Sequence, residues 1–417
     1  MDSERRPMSV ERLDVFRMAD LVKLTAEEAV SRLLTRAAEL RASDLFLLSD
    51  RRFVTIAVRR LGTTQKVAVV STEQGRQMMT HIKANAGMDI AERRRPADGR
   101  WIQELADRTI DMRINCTPTL HGEDMTLRLW DRLVGLRSLD ELGMTRDEHH
   151  KLLYMLNEPS GLLLVTGPTG TGKTTTLYAC LQHLNDGTRK INTLEDPIEY
   201  EIDGIRQSQV NTKIGLDFSE LLRNVLRQAP DVIMVGEIRD EETAKTAVRA
   251  ANSGHLVLAT LHSPTASGAI HSMLALGANP YFFSGSLLGV IAQRLVRTLC
   301  PACRVEYDLS EAPQVFDEVR SLLGPNEGRA IYGPRGCEAC FGLGYQGRSG
   351  LFEIFIVNQE IRRRIARAAT SAEIEQAAVD AGMLIFRRGA LLKVARGETS
   401  TEEILRDVPA EHLGLED

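Results

Sequence analysis

The sequence has no long apolar run and no leader-like start. No stretch approaches the roughly 18 apolar residues of a membrane-spanning helix, and the opening residues, MDSERRPMSVERLD, lack the apolar region of a secretory signal. We therefore expect a cytoplasmic protein, with any membrane contact made through a partner.

The chain also has no excess of basic charge and few aromatic side chains. The formal net charge is -5 and aromatic residues make up 5% of the chain, so no basic, aromatic platform for single-stranded nucleic acid is evident. The 43% hydrophobic and 26% charged residues are typical of a globular protein. A chain of 417 residues is too long for one compact core, so we expect two or three domains. No internal repeat is evident in the sequence.

Cysteine is rare and unevenly placed. Four of the six cysteines form two C-x-x-C pairs separated by 33 residues. In a reducing compartment such pairs predict a tetrahedral zinc site, and the alternative, a redox dithiol, explains only one pair at a time. The predicted zinc ligands are Cys300, Cys303, Cys337 and Cys340.

Hydrophobic periodicity divides the chain into segments. We expect a flexible segment over 1–24, an α+β domain over 25–130 and a linker over 131–140. The strands predicted in the α+β domain are Asp44–Leu48, Phe53–Arg59, Val67–Val70, Thr109–Cys116 and Asp124–Trp130. From 141 to 417, strands such as Leu256–Leu261 alternate with helices such as Phe218–Gln228, in the manner of a largely parallel α/β sheet. This last domain includes the cysteine-bearing lobe, 300–340, and C-terminal helices.

A glycine-rich loop gives the strongest functional signal. GPTGTGKTT follows the apolar run LLLV and matches G-x-x-x-x-G-K-[ST], the loop whose N–H groups cradle phosphates. Lys173 is predicted to reach the β- and γ-phosphates of a nucleoside triphosphate, and Thr174 to hold Mg²⁺. The predicted nucleotide-binding residues are Gly167, Pro168, Thr169, Gly170, Thr171, Gly172, Lys173, Thr174 and Thr175.

Two segments offer carboxylates for hydrolysis. In DVIMVGEIRD, Glu237 follows a buried strand where α/β sheets bind ligands, so we assign it to water activation. Gly236 stands where an acidic Mg²⁺ partner is usual, so another carboxylate is required. Glu195 or Asp196, at a strand end in INTLEDPIEY, offers one, and Glu199 is a further candidate. The alternative is a polar strand terminus.

Two histidines bracket the strand HLVLATLH. His255 and His262 are seven residues apart, so a regular strand directs them to opposite faces. His262, at the carboxyl end of the strand, is the predicted γ-phosphate sensor, and His255 is assigned a structural or interfacial role.

Two arginines lie on the polar faces of TIDMRINC and DMTLRLW. A hairpin centred between Leu120 and His121 makes Arg113 and Arg128 cross-strand partners. Facing like charges are unfavourable unless an anion lies between them, which predicts arginine fingers for a triphosphate. The alternative is two solvated arginines on a polar strand face.

Several motifs together resemble the secretion ATPases of type II secretion and type IV pilus assembly. The resemblance covers roughly Ala42 to Ile404. The motifs, in the order of that family, are GPTGTGKTTT, LEDPIEY, LRQAPDVIMVGEIRD, GHLVLATLHS, AQRLVRTLCPAC and GCEACFGLGYQGR.

The resemblance implies a RecA-like ATPase domain preceded by a PAS-like N2 domain, with a zinc lobe inserted in the ATPase domain. It carries the Walker A, Asp-box, Walker B and His-box roles onto Lys173 with Thr174, Glu195, Glu237 and His262, and the N2 arginine role onto Arg113 and Arg128. It further implies a homo-hexamer docked on an inner-membrane platform protein, using ATP, Mg²⁺ and Zn²⁺ to drive assembly of pilin or pseudopilin fibres.

Other relatives remain as alternatives. A retraction-type or conjugative ATPase shares the core, but retraction ATPases lack the zinc lobe; a nucleic-acid translocase is disfavoured by the charge. The chain also departs from the family pattern. About 40 residues precede Ala42, where assembly members usually carry a docking domain. The usual Ser-Asp-Ile-His reads Ser43-Asp44-Leu45-Phe46, and the usual Arg-x-Asp-Gly turn is altered around Arg59 to Gly62.

Overall fold

A computed structural model describes residues 19–105, 108–131 and 136–415 of the chain. Residues 1–18 of the predicted flexible segment, and 132–135 of the predicted linker, lie outside this range. The described residues form two compact units. Unit 1 comprises the described part of Met1–Gly135 with Leu299–Val305 and Gly333–Gly347; unit 2 comprises Leu136–Thr298, Glu306–Tyr332 and the described part of Arg348–Asp417.

Unit 1 is built on a six-stranded antiparallel sheet in the order β3-β2-β1-β6-β5-β4. Alternating apolar residues form its buried face, as in β5, where every second side chain from Ile110 to Cys116 is buried. A short 3₁₀ helix, Ala19–Lys23, precedes α1. The elements are α1 (Ala26–Glu39), β1 (Asp44–Ser49), β2 (Phe53–Arg60), β3 (Thr63–Ser71), α2 (Thr72–Asn85), β4 (Ala97–Glu104), β5 (Thr109–Thr119) and β6 (Gly122–Asp131).

Strand β4 is absent from the sequence-based prediction. Its sequence, ADGRWIQE, carries charges and a glycine, and its residues alternate between intermediate burial and exposure without any that is fully buried. The strand exists because β5 pairs with it along its whole length, from Ala97–Cys116 to Glu104–Thr109. A polar edge strand gives almost no hydrophobic signal, so only the partner strand reveals it.

Unit 2 contains a seven-stranded sheet in the order β15-β12-β7-β11-β10-β8-β9. Each neighbouring pair from β12 to β9 is parallel, which confirms the predicted, largely parallel sheet. Strands β7, β8, β10 and β11 are buried at every residue. These strands are β7 (Gly161–Thr166), β8 (Ile191–Glu195), β9 (Arg206–Gln209), β10 (Val232–Val235), β11 (Leu256–Leu261), β12 (Leu287–Leu299) and β15 (Tyr345–Ile356).

Helices cover this sheet and form the C-terminal part of the chain, as the periodicity predicts. The early helices are α3 (Arg146–Leu156), α4 (Lys173–Leu184), α5 (Phe218–Val225), α6 (Glu241–Asn252), α7 (Ala266–Ala275) and α8 (Pro280–Ser286). The late ones are α9 (Gln359–Ala366), α10 (Ser371–Asp380), α11 (Phe386–Ala395), α12 (Thr401–Asp407) and α13 (Ala410–Leu413). Among the described residues, no helix has both the length and the apolar character needed to cross a membrane.

The stretch between the C-x-x-C pairs has its own small sheet. Strand β13 (Val305–Asp308) pairs with β14 (Ala330–Gly333), and 3₁₀ turns span Pro313–Leu322 and Glu338–Cys340. The sequence places the whole lobe within the ATPase domain. By contact density the cysteine-bearing ends belong to unit 1, whereas Glu306–Tyr332 belongs to unit 2.

Candidate functional site

The glycine-rich loop connects the end of β7 to the start of α4. Gly167, Gly170 and Gly172 have φ values of 143°, 83° and 89°, which L side chains rarely adopt. A Cβ atom on Gly167 would lie 2.5 Å from the carbonyl oxygen of Gln293. Gly172 also precedes the first turn of α4, so free N–H groups of that turn remain available to an anion. The loop therefore has the backbone of a phosphate cradle.

Lys173 lies folded over this loop. Its Nζ donates to the carbonyl oxygens of Gly167, at 2.7 Å, and Pro168, at 3.1 Å, and lies 3.3 Å from Nδ1 of His262. Burial lowers the pKa of Lys173, and the negative charge of Glu237 opposes that shift. The ammonium group thus stands between the loop and the next two strands of the sheet.

Glu237 and His262 meet at the same edge of the sheet. Nε2 of His262 lies 2.9 Å from Oε1 of Glu237, while Nδ1 of the same ring faces Lys173. Since β7, β11 and β10 are adjacent and parallel, their carboxyl ends bring these three side chains together. His255, at the opposite end of β11, instead lies 2.9 Å from the carbonyl oxygen of Ala250 through its Nδ1.

Arg239 is a site residue that the sequence analysis missed. Its Nε and Nη2 lie 2.7 Å and 2.6 Å from Oε2 of Glu237, and its Nη1 lies 3.6 Å from Asp196. The hydrogen bond with Glu237 raises the pKa of the Arg239 guanidinium. This arginine links the two predicted carboxylate segments. Its position two residues after Glu237, in GEIRD, was the available signal.

Glu195 lies beneath the crevice rather than open to it. It is 3% exposed, and its carboxylate accepts hydrogen bonds from Tyr178, from Thr193 at 2.5 Å and from Gln207 at 3.0 Å. Burial, followed by the charge of Glu195, raises the pKa of Tyr178. From its position in the sequence, the side chain of Glu195 is expected to project into the crevice. The sequence does not show that Tyr178 on α4 binds this carboxylate instead.

The neighbours of Glu195 differ in their surroundings. Asp196 is 41% exposed at its side chain and faces Arg239. The backbone N–H of Glu199 donates to the hydroxyl of Tyr178 at 3.2 Å. One tyrosine on the phosphate-loop helix therefore holds both ends of the LEDPIEY segment, and the choice of Glu195 or Glu199 as the acting carboxylate stays a prediction.

Gln293, on β12, holds the phosphate loop from the side. Its Nε2 donates to the carbonyl oxygen of Thr171 at 2.7 Å, and its Oε1 accepts from the hydroxyl of Thr176 at 2.8 Å. The residue is 2% exposed. A buried amide within the apolar run LLGVIAQRLV was the signal, since buried polar groups are kept where they are hydrogen-bonded.

A small cavity of about 70 Å³ adjoins the phosphate loop. Its walls include Gly172, Thr175, Gln293, Arg348 and Phe352. That volume is below the range of small-molecule sites, so the cavity alone does not mark the place of the base and sugar.

The predicted pairing of Arg113 with Arg128 is confirmed in unit 1, where the two are directly opposite in the β5–β6 register. Each also has a partner within that unit. The Arg113 guanidinium lies 4.1 Å from the ring centre of Trp130, and Nε of Arg128 lies 3.5 Å from Asp44. These contacts relieve the like-charge repulsion, so the pairing by itself does not require an anion.

The four paired cysteines form one cluster in unit 1. Their sulfur atoms all lie within 4.8 Å of one another. Individual Sγ–Sγ distances are 3.9 Å for Cys300–Cys337, 3.8 Å for Cys303–Cys340 and 3.7 Å for Cys337–Cys340. Tetrahedral zinc with bonds of about 2.3 Å separates its sulfur ligands by about 3.8 Å. The donor set and its spacing therefore fit Zn²⁺, and the shared cluster disfavours independent dithiols.

Comparison with known proteins gives consistent matches. A family model described as "Type II/IV secretion system protein" matches residues 23–406. Type II secretion system protein E of Aeromonas hydrophila is 40% identical over 404 residues, covering 97% of this chain and 79% of that protein. Type II secretion system ATPase E of Vibrio cholerae is 40% identical over 405 residues, covering 97% of this chain and 78% of that protein.

Solved structures share the fold. The ATPase DotB of Legionella pneumophila aligns with a TM-score of 0.67 at 21% identity, over 91% of this chain and 95% of that one. The pilus retraction motor PilT, crystallised with bound ADP, aligns with a TM-score of 0.54 at 24% identity, over 86% of this chain and 95% of that one.

Proposed function

This chain belongs to the family of type II and type IV secretion ATPases, and we propose that it works as a homo-hexameric motor for assembly of pilin or pseudopilin fibres. The family is one of secretion and pilus ATPases that hydrolyse ATP. The observation that best supports a working enzyme is the cluster of Lys173, His262 and Glu237 at the carboxyl edge of the sheet.

The proposed chemistry follows from these contacts. Lys173 exchanges its carbonyl partners for the β- and γ-phosphates of ATP, and Glu237 orients and deprotonates the attacking water. Thr174 would hold Mg²⁺, which would neutralise negative charge on the phosphates. His262 senses the γ-phosphate, because its ring lies between Lys173 and Glu237. A change in the position of Lys173 would therefore be transmitted through His262 to Glu237.

The remaining assignments are supported by pattern and environment. We propose that Glu195 contributes from the buried network with Tyr178, and that Arg113 and Arg128 act on the triphosphate. The cysteine cluster is proposed to hold Zn²⁺, which favours the assembly branch over retraction ATPases. We further propose a cytoplasmic ring bound peripherally to an inner-membrane platform protein, with no role for nucleic acid.

The decisive experiment separates binding from hydrolysis. Glu237→Gln should bind ATP normally but lower kcat by about 100-fold or more, because the water loses its base. Lys173→Ala should instead lose productive ATP binding. Fluorescent-nucleotide titration and phosphate release measure the two properties, and the exposed carboxylate variant Glu220→Gln serves as the control.

Two outcomes would overturn this assignment. Normal turnover in Glu237→Gln would remove that residue from catalysis. Hydrolysis stimulated many-fold by DNA or RNA would favour a nucleic-acid translocase on the same fold.

A further inference from the structure

Arg60 is a buried cation in unit 1 with an unusual set of partners. The residue is 5% exposed. Its Nε donates to the carbonyl oxygen of Leu40 and its Nη1 to that of Cys340, each at 2.9 Å. Its guanidinium carbon lies 5.0 Å from the ring centre of Phe341. Within the described ranges, no carboxylate pairs with it.

Such an environment leaves the charge of Arg60 poorly compensated. Removing an ion from water costs several kcal/mol unless an opposite charge is close, and two carbonyls and an aromatic face supply only partial charges. The Cys340 carbonyl links Arg60 to the cysteine cluster, which would carry negative charge with zinc bound.

The cysteine cluster with zinc bound would carry a buried negative charge that also requires compensation. Zn²⁺ with four thiolates carries a net charge of -2 (two minus four), and Cys300 and Cys340 are fully buried. Backbone N–H groups of Cys337 and Gly344 donate to Sγ of Cys340, each at 3.1 Å. These bonds disperse part of the negative charge but add no positive charge. Neighbouring arginines in the cysteine segment, Arg304 and Arg335, are exposed.

We propose that Arg60 is the buried counter-charge of a zinc–tetrathiolate centre, joined to it through the Cys340 carbonyl. Arg60 is then a positioning residue, not a ligand. Because it ends β2 and also binds Leu40 after α1, metal occupancy would set how firmly the cysteine segment is held on the first domain. The proposal rests on zinc binding by the four cysteines, but not on the motor function. It also gives a role to Arg60 within the altered family turn.

The test combines a zinc-affinity measurement on the full chain with urea unfolding of the zinc-loaded and the zinc-free protein. In chelator competition, Arg60→Met should lower Zn²⁺ affinity by about 10- to 100-fold, the usual effect of losing an outer partner. In urea unfolding, the same change should destabilise the zinc-loaded protein. After zinc removal it should be neutral or stabilising, because an apolar side chain replaces a buried, uncompensated charge.

Arg36→Met is the matched control. Arg36 also stacks on Phe341, at 5.6 Å, but pairs with Glu39 at 2.8 Å, so its loss should leave zinc affinity unchanged. Two further variants separate charge from packing and remain useful if Arg60→Met fails to fold. Arg60→Lys keeps the charge and should retain most of the affinity. Arg60→Gln keeps hydrogen-bond donors without charge and should lose affinity as Arg60→Met does.

Each contrary result identifies a different failure. Unchanged zinc affinity in both Arg60→Met and Arg60→Gln, or equal destabilisation with and without zinc, would reduce Arg60 to a packing residue. A wild-type chain that holds no zinc and gives no tetrahedral thiolate spectrum with Co²⁺ would remove the centre itself. Either result leaves the ATPase assignment intact.

Discussion

At the residue scale, Glu353 shows how the core of unit 2 uses a buried carboxylate. It lies on β15, and its two oxygens each accept a backbone N–H at 3.2 Å, from Ala266 and from Phe386. These residues begin α7 and α11. Ile385 gives α11 no side-chain cap of its own, so Glu353 satisfies the helix start from the sheet. Helix α7 follows the segment that carries His262.

Glu353 should make stability depend on pH. Burial raises its pKa from about 4.5 to about 7, so the folded chain binds this proton more tightly than the unfolded chain. The stabilisation from that tighter binding is complete below about 4.5 and is lost as the pH rises through about 7. Glu353→Gln should remove this dependence. Between pH 5 and pH 8 the variant should gain roughly 2–3 kcal/mol relative to wild type, measured by urea unfolding.

The control for Glu353 is Glu402→Gln, which changes an exposed carboxylate near the start of α12. Its stability difference from wild type should stay constant across the same pH range. Parallel stability curves for wild type and Glu353→Gln would show that Glu353 does not titrate in this range.

At the element scale, strand β12 connects the phosphate loop to the C-terminal helices. Gln293 holds Thr171 and Thr176 on one side. Four residues later, the Nε of Arg297 lies 2.7 Å from the carboxylate of Glu403, a fully buried residue of α12. One strand therefore fixes two elements that are far apart in the sequence.

Removing the Gln293 contact should weaken nucleotide binding. Gln293→Leu leaves the Thr171 carbonyl and the Thr176 hydroxyl without a partner, so the KM for ATP should rise about 10-fold while kcat changes less. Thr176→Val breaks one of the same bonds. The double variant should lose less than the sum of the single losses, because the two side chains share one contact. Strict additivity in ATP titrations would show that they act independently.

Element prediction was accurate where burial was high. The strand Leu256–Leu261 was predicted to the residue, because a strand buried on both faces is a continuous apolar run. Strand β4 was missed because its partner, not its own pattern, specifies it. The 3₁₀ turn at Leu226–Gln228 was joined to the preceding helix in the prediction, and Val225 at the junction does keep helical backbone angles (φ −62°, ψ −37°).

At the scale of the whole molecule, the proposed hexamer predicts assembly-dependent catalysis. Specific ATPase rate should rise with protein concentration as light scattering detects a species of about six chains in a non-hydrolysable ATP analogue. The reason is that, in the proposed ring, Arg113 and Arg128 of a neighbouring chain would complete the catalytic site. A fully active monomer would contradict this mechanism while leaving the chain an ATPase.

Donation of arginines between chains can be tested more directly by mixing two inactive variants. Arg113→Ala and Glu237→Gln should each be nearly inactive alone, but mixed rings should regain activity, since each supplies what the other lacks. Arg100→Ala is the control. Arg100 faces Arg113 in the sheet register but is bound to Asp111 at 2.9 Å. It should have little effect, and failure of mixing to restore turnover would argue against donation in trans.

The sequence alone determined the chemistry and the main strands of this protein. Glycine spacing, the terminal lysine of the loop and four cysteines have few physical alternatives, because backbone angle, charge and ligand type are properties of the residues themselves. Tertiary structure decided which groups meet. Arg239 beside Asp196, Tyr178 on Glu195, Gln293 on the phosphate loop and Arg60 beside the cysteines are all polar side chains whose partners come from other elements. Periodicity reports the burial of a residue, not the identity of its neighbour.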